Sequence, residues 1–398
     1  MDTPRARVSS SHKRVGMELE DVSYSANGKD SAWVGPRRQA GYPGSMTKIP
    51  TQSQRAPRRV RIAMTGDLNP LVALAMRPEG GMTTMPKDPE HMAERIVEVT
   101  ASVDPARAVD GREVYLFVLD EAEAAGYDVV GMSAVYAAVG LDRPFYSYKI
   151  TKVSKYSPDI DRRFDYTILQ PSNDYTGCTE VGTLYLPPER RGQGRGRMLS
   201  FARFMFLAVH RERFGEVVMA EMRGWINEDG RSPFWDAVGQ KFFGLEFDQA
   251  DRLSSKEFRF MQDMLPGTPI HVDLLPKAAI DVISRPHIGS EPAAAMLRRL
   301  GMRDHGYIDI FDAGLCLDAF IDDIDVVRRA RRRRVRITSD VPAGQSGLVA
   351  NTQLASFTII EAQVTHDETQ PLTFDQAEAL GVADGDTIVT YIFEVPRD

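Results

Sequence analysis

The sequence predicts an α+β fold: a mixed sheet with flanking helices, a second α/β lobe and a small β-rich C-terminal part. Strand-like and helix-like segments follow one another without the strict alternation of a parallel βαβ chain. A glycine-rich turn, Arg191-Gly-Gln-Gly-Arg-Gly196, joins a strand to a long apolar helix near the middle. From about Asn351 onward short strands rich in β-branched and aromatic residues resume.

Residues 1–57 contain nine Arg and Lys against five acidic residues, with many Ser, Pro and Gly and no sustained apolar period. Such a segment buries too little apolar surface to offset its ordering entropy, so a disordered N-terminal extension is expected. Its Arg and Ser content also suits a transit peptide, against which Glu18, Glu20 and Asp21 speak.

Folded sequence is expected from Arg59-Val-Arg-Ile-Ala63, a short strand, with Gly66-Asp67 opening a helix over Leu68 to Ala75. A loop, Gly80-Gly-Met-Thr-Thr84, precedes a helix from about Asp88 to Ser102. Val114 to Leu119 and Val129 to Val139 read as strands, the second interrupted by Gly131, and a long polar stretch runs on to Ser172. A strand from Val181 to Leu186 stops at Pro187-Pro188. The helix after the glycine turn runs to about Arg213, with Met198, Phe201, Met205 and Ala208 on one face.

Val217 to Met222 is the next strand. Pro233 to Phe243 reads as helix, Ile270 to Leu274 as strand, Lys277 to Ile283 and Pro292 to Leu300 as helices, and Tyr307 to Phe311 as strand. Strands are expected over Phe357 to Val364 and Thr387 to Phe393, with turn chemistry at Leu380-Gly-Val-Ala-Asp-Gly-Asp386. The expected division is therefore an extension at 1–57, a first lobe at 58–225, a second α/β lobe at 226–336 and a β-rich lobe at 337–398.

Composition bounds the class. The chain has 398 residues, 42% of them hydrophobic and 26% charged, which is globular. A formal charge of −7 gives no whole-protein case for nucleic acid. The run Arg328 to Arg336 is basic, and beside Asp322, Asp323 and Asp325 it reads as a solvated helix end. No apolar run reaches the ~18–20 residues of a membrane span, so no membrane partner is expected. Cys178 and Cys316 match no metal or redox spacing; they read as small buried hydrophobes of a reducing, cytoplasmic protein. No His/Cys cluster calls for a metal.

The glycine turn carries the chemistry. Arg191, Gly192, Gln193, Gly194, Arg195 and Gly196 form R-x-x-G-x-G between a strand and a helix. Glycine lets the main chain approach a ligand and take positive φ. The first helical turn has unpartnered amides, and the helix dipole favours negative charge there. A pyrophosphate fits such a cradle. No G-x-x-x-x-G-K-[ST] is present, which argues against a nucleoside triphosphatase. The order β-α-α-β-β-β-loop-α-β resembles the GCN5-related N-acetyltransferase fold, in which this loop holds the pyrophosphate of an acyl-CoA.

A finer resemblance covers the chain from about residue 59 to its end. Gly80-Gly-Met-Thr-Thr-Met-Pro86, Ser172-Asn-Asp-Tyr-Thr-Gly-Cys-Thr-Glu180, Ala220-Glu-Met-Arg-Gly224, Gly230-Arg-Ser-Pro-Phe-Trp235, Phe242-Phe-Gly244, Pro269-Ile270 and Tyr307-Ile-Asp-Ile-Phe-Asp-Ala-Gly314 stand in this order. Together they look like the arginine N-succinyltransferase family. The resemblance implies transfer of succinyl from succinyl-CoA, a co-substrate, to L-arginine, with no permanently bound cofactor and a two-subunit assembly as a possibility. It implies that Leu184 binds succinyl-CoA and that His287 is the proton donor. The family pattern around that histidine is Val-His-Pro, whereas this chain has Pro286-His287-Ile288.

The substrates' charges call for partners. A guanidinium calls for a carboxylate and each substrate carboxylate for Arg or Lys. Asp174, Glu180 and Glu221, then Arg223, Arg231 and Ser232, are the candidates, with Asp309 and Asp312 beside them. Internal ion pairing is the competing role for each. An acyltransferase acting on ornithine or another amino acid, and a CoA-binding subunit without catalysis, are the alternative readings.

Overall fold

The computed structural model describes residues 57–77, 85–123, 126–254 and 259–394. The expected N-terminal extension, up to residue 56, and the Gly80–Thr84 loop lie outside the described residues.

The chain opens with β1 (Arg59–Ile62), α1 (Leu68–Ala75), α2 (Pro89–Ser102), β2 (Val114–Glu123) and β3 (Gly126–Tyr136). A hairpin follows, β4 (Ser147–Ser157) and β5 (Arg162–Ser172). β6 (Thr179–Tyr185) leads through the glycine turn into α3 (Arg195–Val209), and β7 (Val217–Glu221) returns. Short elements come next: α4 (Pro233–Ala237), α5 (Gly239–Phe243), α6 (Phe247–Ser254), α7 (Arg259–Met264), β8 (Ile270–His271), α8 (Lys277–Ile280) and α9 (Glu291–Arg299). β9 (Tyr307–Asp309), β10 (Cys316–Phe320) and α10 (Asp325–Arg329) precede β11 (Arg331–Ile337), β12 (Gln345–Asn351), β13 (Thr358–Val364), β14 (Thr369–Leu372), α11 (Phe374–Leu380) and β15 (Thr387–Ile392).

One mixed sheet collects strands from nearly the whole length, in the order β10-β7-β6-β3-β2-β1-β13-β12-β15-β11-β14. Its pairings are antiparallel except β6 with β7 and β11 with β14. Tyr115 to Leu119 of β2 are all buried, so β2 is covered on both faces and reads as an unbroken apolar run. α2 and α3 pack against it. The sequence expects one apolar face on α3, but Met198 to Leu207 are all buried, and α10 packs along it. Phe201 meets Tyr391 and Phe393 at ring-centre distances of 6.0 and 5.9 Å. A helix enclosed in this way is apolar on nearly every side, with Ser200 and Arg203 its buried polar exceptions. Burying each large side chain contributes roughly 1.5–3 kcal/mol.

Local signals fix the helix ends. Asp88 accepts from the His91 amide at 3.0 Å with Pro89 in the first turn. Thr373 and Gln376 form a capping box, and α11 ends at Gly381 with φ 65°.

Four expectations are corrected. The polar stretch before Ser172 is the β4–β5 hairpin, paired from Ser147↔Ser172 to Ser157↔Arg162. With β8 and β9 it makes a separate four-stranded sheet. Lys152 to Asp165 are mostly exposed, so no apolar alternation marks them as strands. Pro233 to Phe243 is two short helices that break at Val238-Gly239. Ile270 to Leu274 is only two strand residues and a 3-10 turn. The basic run is divided: Arg328 and Arg329 end α10 and pair with Asp325 at 3.6 and 3.1 Å, but Arg331 to Arg336 belong to β11. Arg329, Arg331 and Arg333 border an open surface cavity of about 470 Å³ with His366 and Thr390.

Cys316 is buried and Cys178 half-buried, both as free thiols. Among the described residues no helix is long and apolar enough to cross a membrane.

Candidate active site

β6 is where the sheet opens. Its parallel pairing with β7 consists of Thr179↔Val218 and Glu180↔Met219, after which the two strands part. Against β3, Gly182 faces Ala134 and Tyr185 faces Met132, so Thr183 and Leu184 together oppose Ser133. This is a β-bulge, which bends the strand and re-aims its groups. Thr183 has φ 52°, a strained value for a β-branched residue. Its hydroxyl is 3.0 Å from the Tyr136 hydroxyl. Leu184 is half-buried on the bulge and packs on the main core.

The glycine turn follows directly. Gly192, Gln193 and Gly194 take φ values of 92°, 51° and 77°, three successive left-handed residues that bring the chain round onto the first turn of α3. Open space lies where a Cβ of Gly192 or Gly196 would stand, leaving room for a ligand beside the backbone. Arg195 does not present its guanidinium freely. It makes two bonds to Glu121, at 2.7 and 2.9 Å, and Arg58 adds a third at 2.7 Å. Burial raises the Glu121 carboxyl, but the two arginines outweigh it and hold the group below the usual carboxylate range. Arg58 also donates to the Gln193 carbonyl at 2.9 Å. Glu121 thus braces the turn, and Arg191 stays exposed, its guanidinium donating to the Leu186 carbonyl at 3.2 Å.

Carboxylates gather where β6, β7 and the β9–β10 turn meet. Glu180 is half-buried on β6, and burial pushes it up to about 7, while Arg143 and Arg203 pull the other way. Burial also raises Glu221 well above its ordinary value, with repulsion from Asp309, Glu180 and Asp312 adding to it. Cys316 lies opposite Glu221 in the β7–β10 pairing, its Sγ 3.9 Å from Oε1. Asp309 and Asp312 are partly spent on the backbone. Asp309 accepts from the amides of Phe311 and Asp312 at 2.7 and 2.9 Å. Asp312 accepts from those of Gly224 and Gly314 at 2.7 and 2.8 Å. Glu180 and Glu221 are therefore the carboxylates best placed for a cationic ligand.

His287 is tied to the same region, since its amide donates to the Arg223 carbonyl at 2.8 Å, two residues beyond the end of β7. The Gly289 amide donates to its Nδ1 at 3.1 Å. An accepting Nδ1 carries no proton in the neutral ring, so the proton is on Nε2, the nitrogen left for a ligand. Burial and the neighbouring Arg223 lower its pKa, which keeps the ring neutral near pH 7.

The other sequence candidates separate. Asp174 is exposed and accepts from Tyr307 at 2.6 Å, with Lys149 3.9 Å away. Arg231 pairs with Asp236 at 3.2 Å. Ser232 is fully buried and caps α4 by accepting from the Trp235 amide at 3.2 Å. Sequence reasoning missed Tyr136, Arg143 and Arg203. Arg203 did leave a signal, as the one charge in Phe201-Ala-Arg-Phe-Met-Phe-Leu207. Tyr136 and Arg143 left none, because Tyr136 is placed by strand pairing and Arg143 by the irregular segment after β3.

The family model described as the arginine N-succinyltransferase beta subunit matches residues 58–326, and that of its C-terminal domain matches residues 331–390. The chain is 39% identical over 335 residues to the arginine N-succinyltransferase of Yersinia enterocolitica, covering 83% of this chain and 96% of that protein. It is 35% identical over 334 residues to that of Escherichia coli, with the same two shares of 83% and 96%. Among solved structures, subunit AI of the arginine/ornithine succinyltransferase of Pseudomonas aeruginosa superposes with a TM-score of 0.78 at 31% identity, covering 85% of this chain and all of that one.

Proposed function

Since the chain belongs to the arginine N-succinyltransferase family, we propose that it transfers the succinyl group of succinyl-CoA to the α-amino group of L-arginine. The products are CoA and N2-succinyl-L-arginine. The observation that most supports this is the β6 bulge, which sets Leu184 between a glycine-turn anion cradle and a nest of half-buried carboxylates.

In this reading the pyrophosphate of succinyl-CoA lies on the Gly192–Gly196 backbone, and its thioester reaches the bulge at Leu184. The amine nitrogen bonds to the thioester carbon, the C–S bond breaks, and the sulfur leaves as thiolate. The proton lost by the amine goes to Glu180, a carboxylate held near neutrality and so suited to act as base. The Nε2–H of His287 hydrogen-bonds the departing sulfur. Backbone amides of the bulge steady the oxygen while charge builds on it. Glu221 takes the guanidinium.

A terminal ammonium suits the same carboxylate, and the Pseudomonas relative's name includes ornithine, so ornithine is the second acceptor to test. The names of these relatives also speak of subunits, and we carry an oligomeric, cytoplasmic enzyme as part of the proposal. Isolation of the product and assignment of the acylated nitrogen by NMR tests the reading. Acylation at the α-nitrogen of arginine is expected, and acylation elsewhere would move the acceptor.

Two variants probe the separate parts. Glu221→Gln is expected to lower kcat/KM for arginine by roughly 10–100-fold, about the loss of one charge-assisted hydrogen bond, ~1.5–3 kcal/mol. An unchanged arginine KM removes Glu221 from the guanidinium site. Glu121→Ala frees Arg195 and Arg58 and is expected to raise KM for succinyl-CoA about 10-fold with kcat little changed, again about one such bond. Steady-state kinetics with succinyl-CoA varied reads this directly.

A further inference from the structure

Arg203 lies in the apolar middle of α3, 2% exposed, and forms no ion pair among the described residues. Its guanidinium donates to the Ser200 carbonyl at 3.2 Å, the Ser200 hydroxyl at 2.8 Å and the Gly182 carbonyl at 3.4 Å. A buried charge without a paired counter-charge costs several kcal/mol, so the residue is a burden on stability. Burial pulls its pKa down to about 9, with Glu180 drawing it back up.

Its contacts converge on one place. Gly182 is the last regular residue before the bulge, and Thr183 next to it holds φ 52°. Such strain persists only where the surroundings hold it. The Tyr136 hydroxyl holds Thr183 from the side, and Arg203 holds the carbonyl that precedes it. Glu180 leans over the same glycine: a Cβ on Gly182 would meet Glu180 Oε1 at 2.8 Å.

We propose that Arg203 is a positioning residue for acyl transfer, clamping the Gly182 carbonyl so that the Thr183–Leu184 bulge keeps its shape and setting a fixed positive charge behind Glu180. This rests on the reading of the bulge as the thioester site and of Glu180 as the base. The charged and titratable groups around Glu180 are Arg143 after β3, Arg203 on α3, Glu221 on β7, Tyr136 on β3 and Cys316 on β10. Arg143 and Arg203 are the two that favour its ionised form.

The test compares R203M and R203K with wild type in melting temperature, kcat, KM and the pH profile of kcat/KM. Methionine fills the volume without the charge, so R203M is expected to melt at or above the wild-type temperature. Its kcat falls about 10-fold or more with KM for succinyl-CoA within about twofold, and the acidic limb of the profile moves to higher pH. R203K keeps the charge and is expected to hold the limb at its wild-type position. R203M with wild-type kcat and an unmoved limb overturns the inference. If R203M does not fold, a limb in R203K that shifts upward overturns it instead. Wild-type protein without amine-dependent thiol release would sink the functional reading itself, a different outcome from an active wild type matched by R203M.

Discussion

Replacing His287 by alanine is expected to lower kcat by roughly 10²–10⁴-fold, the usual span for a positioned acid or base, and to leave KM for succinyl-CoA within a few-fold. The asymmetry follows from where the residue is held. Its main chain is fixed by the Arg223 carbonyl and its Nδ1 by the Gly289 amide, so Nε2–H is the part left for chemistry. The proposed CoA cradle is built from other elements, Gly192 to Gly196 and the Glu121 brace. The His287 carbonyl also accepts from the Ser290 and Glu291 amides as α9 begins, two bonds that alanine keeps, so the fold should survive. His287→Gln offers a donor at similar reach and should recover part of the loss. Turnover close to wild type in His287→Ala would remove the residue from the mechanism.

Glu180→Gln is expected to have the next largest effect, a loss in kcat of about 10²–10³-fold. Glutamine keeps the shape over Gly182 and removes the proposed base. The sign of the pH dependence is fixed by the raised pKa. A carboxyl pushed up to about 7 is protonated below that value, so activity falls as pH drops through it. The wild-type profile of kcat/KM should lose about tenfold per pH unit there, and the variant should lack that limb. Burial and Arg223 lower the His287 pKa, so that ring protonates only at more acidic pH than an ordinary histidine. An acidic limb that survives in Glu180→Gln assigns the base elsewhere.

The legibility of this protein in its sequence follows its burial pattern. β1, α1, α2, β2 and α3 were readable because each is half- or fully buried, which writes either a period or an unbroken apolar run into the residues. The β4–β5 hairpin was not, because its outer part is exposed and nothing selects apolar residues there. β11 hid for a related reason. Its alternate arginines face solvent or brace neighbouring carbonyls, as Arg332 does at Val209 and Arg334 at Gly385, and a basic run of this kind has no apolar signature.

The site was legible in parts. The glycine turn is local in sequence, so spacing alone revealed it. Residues assembled from distant segments were not. Glu221 meets Glu180, Asp309 and Asp312 only because β6 and β7 lie side by side in one sheet and β9, from the other sheet, turns into β10 beside them. Ser232, by contrast, stood in a family-like segment and turned out to cap a helix. Motif membership named the segment; hydrogen bonding separated the capping residue from the carboxylates gathered at β6, β7 and the β9–β10 turn.

The most direct test is release of free thiol from succinyl-CoA by the full chain, with L-arginine, L-ornithine and no amine in parallel. The account predicts release that depends on the amine and is fastest with arginine. Equal release with and without amine, or none with either amine, would contradict it.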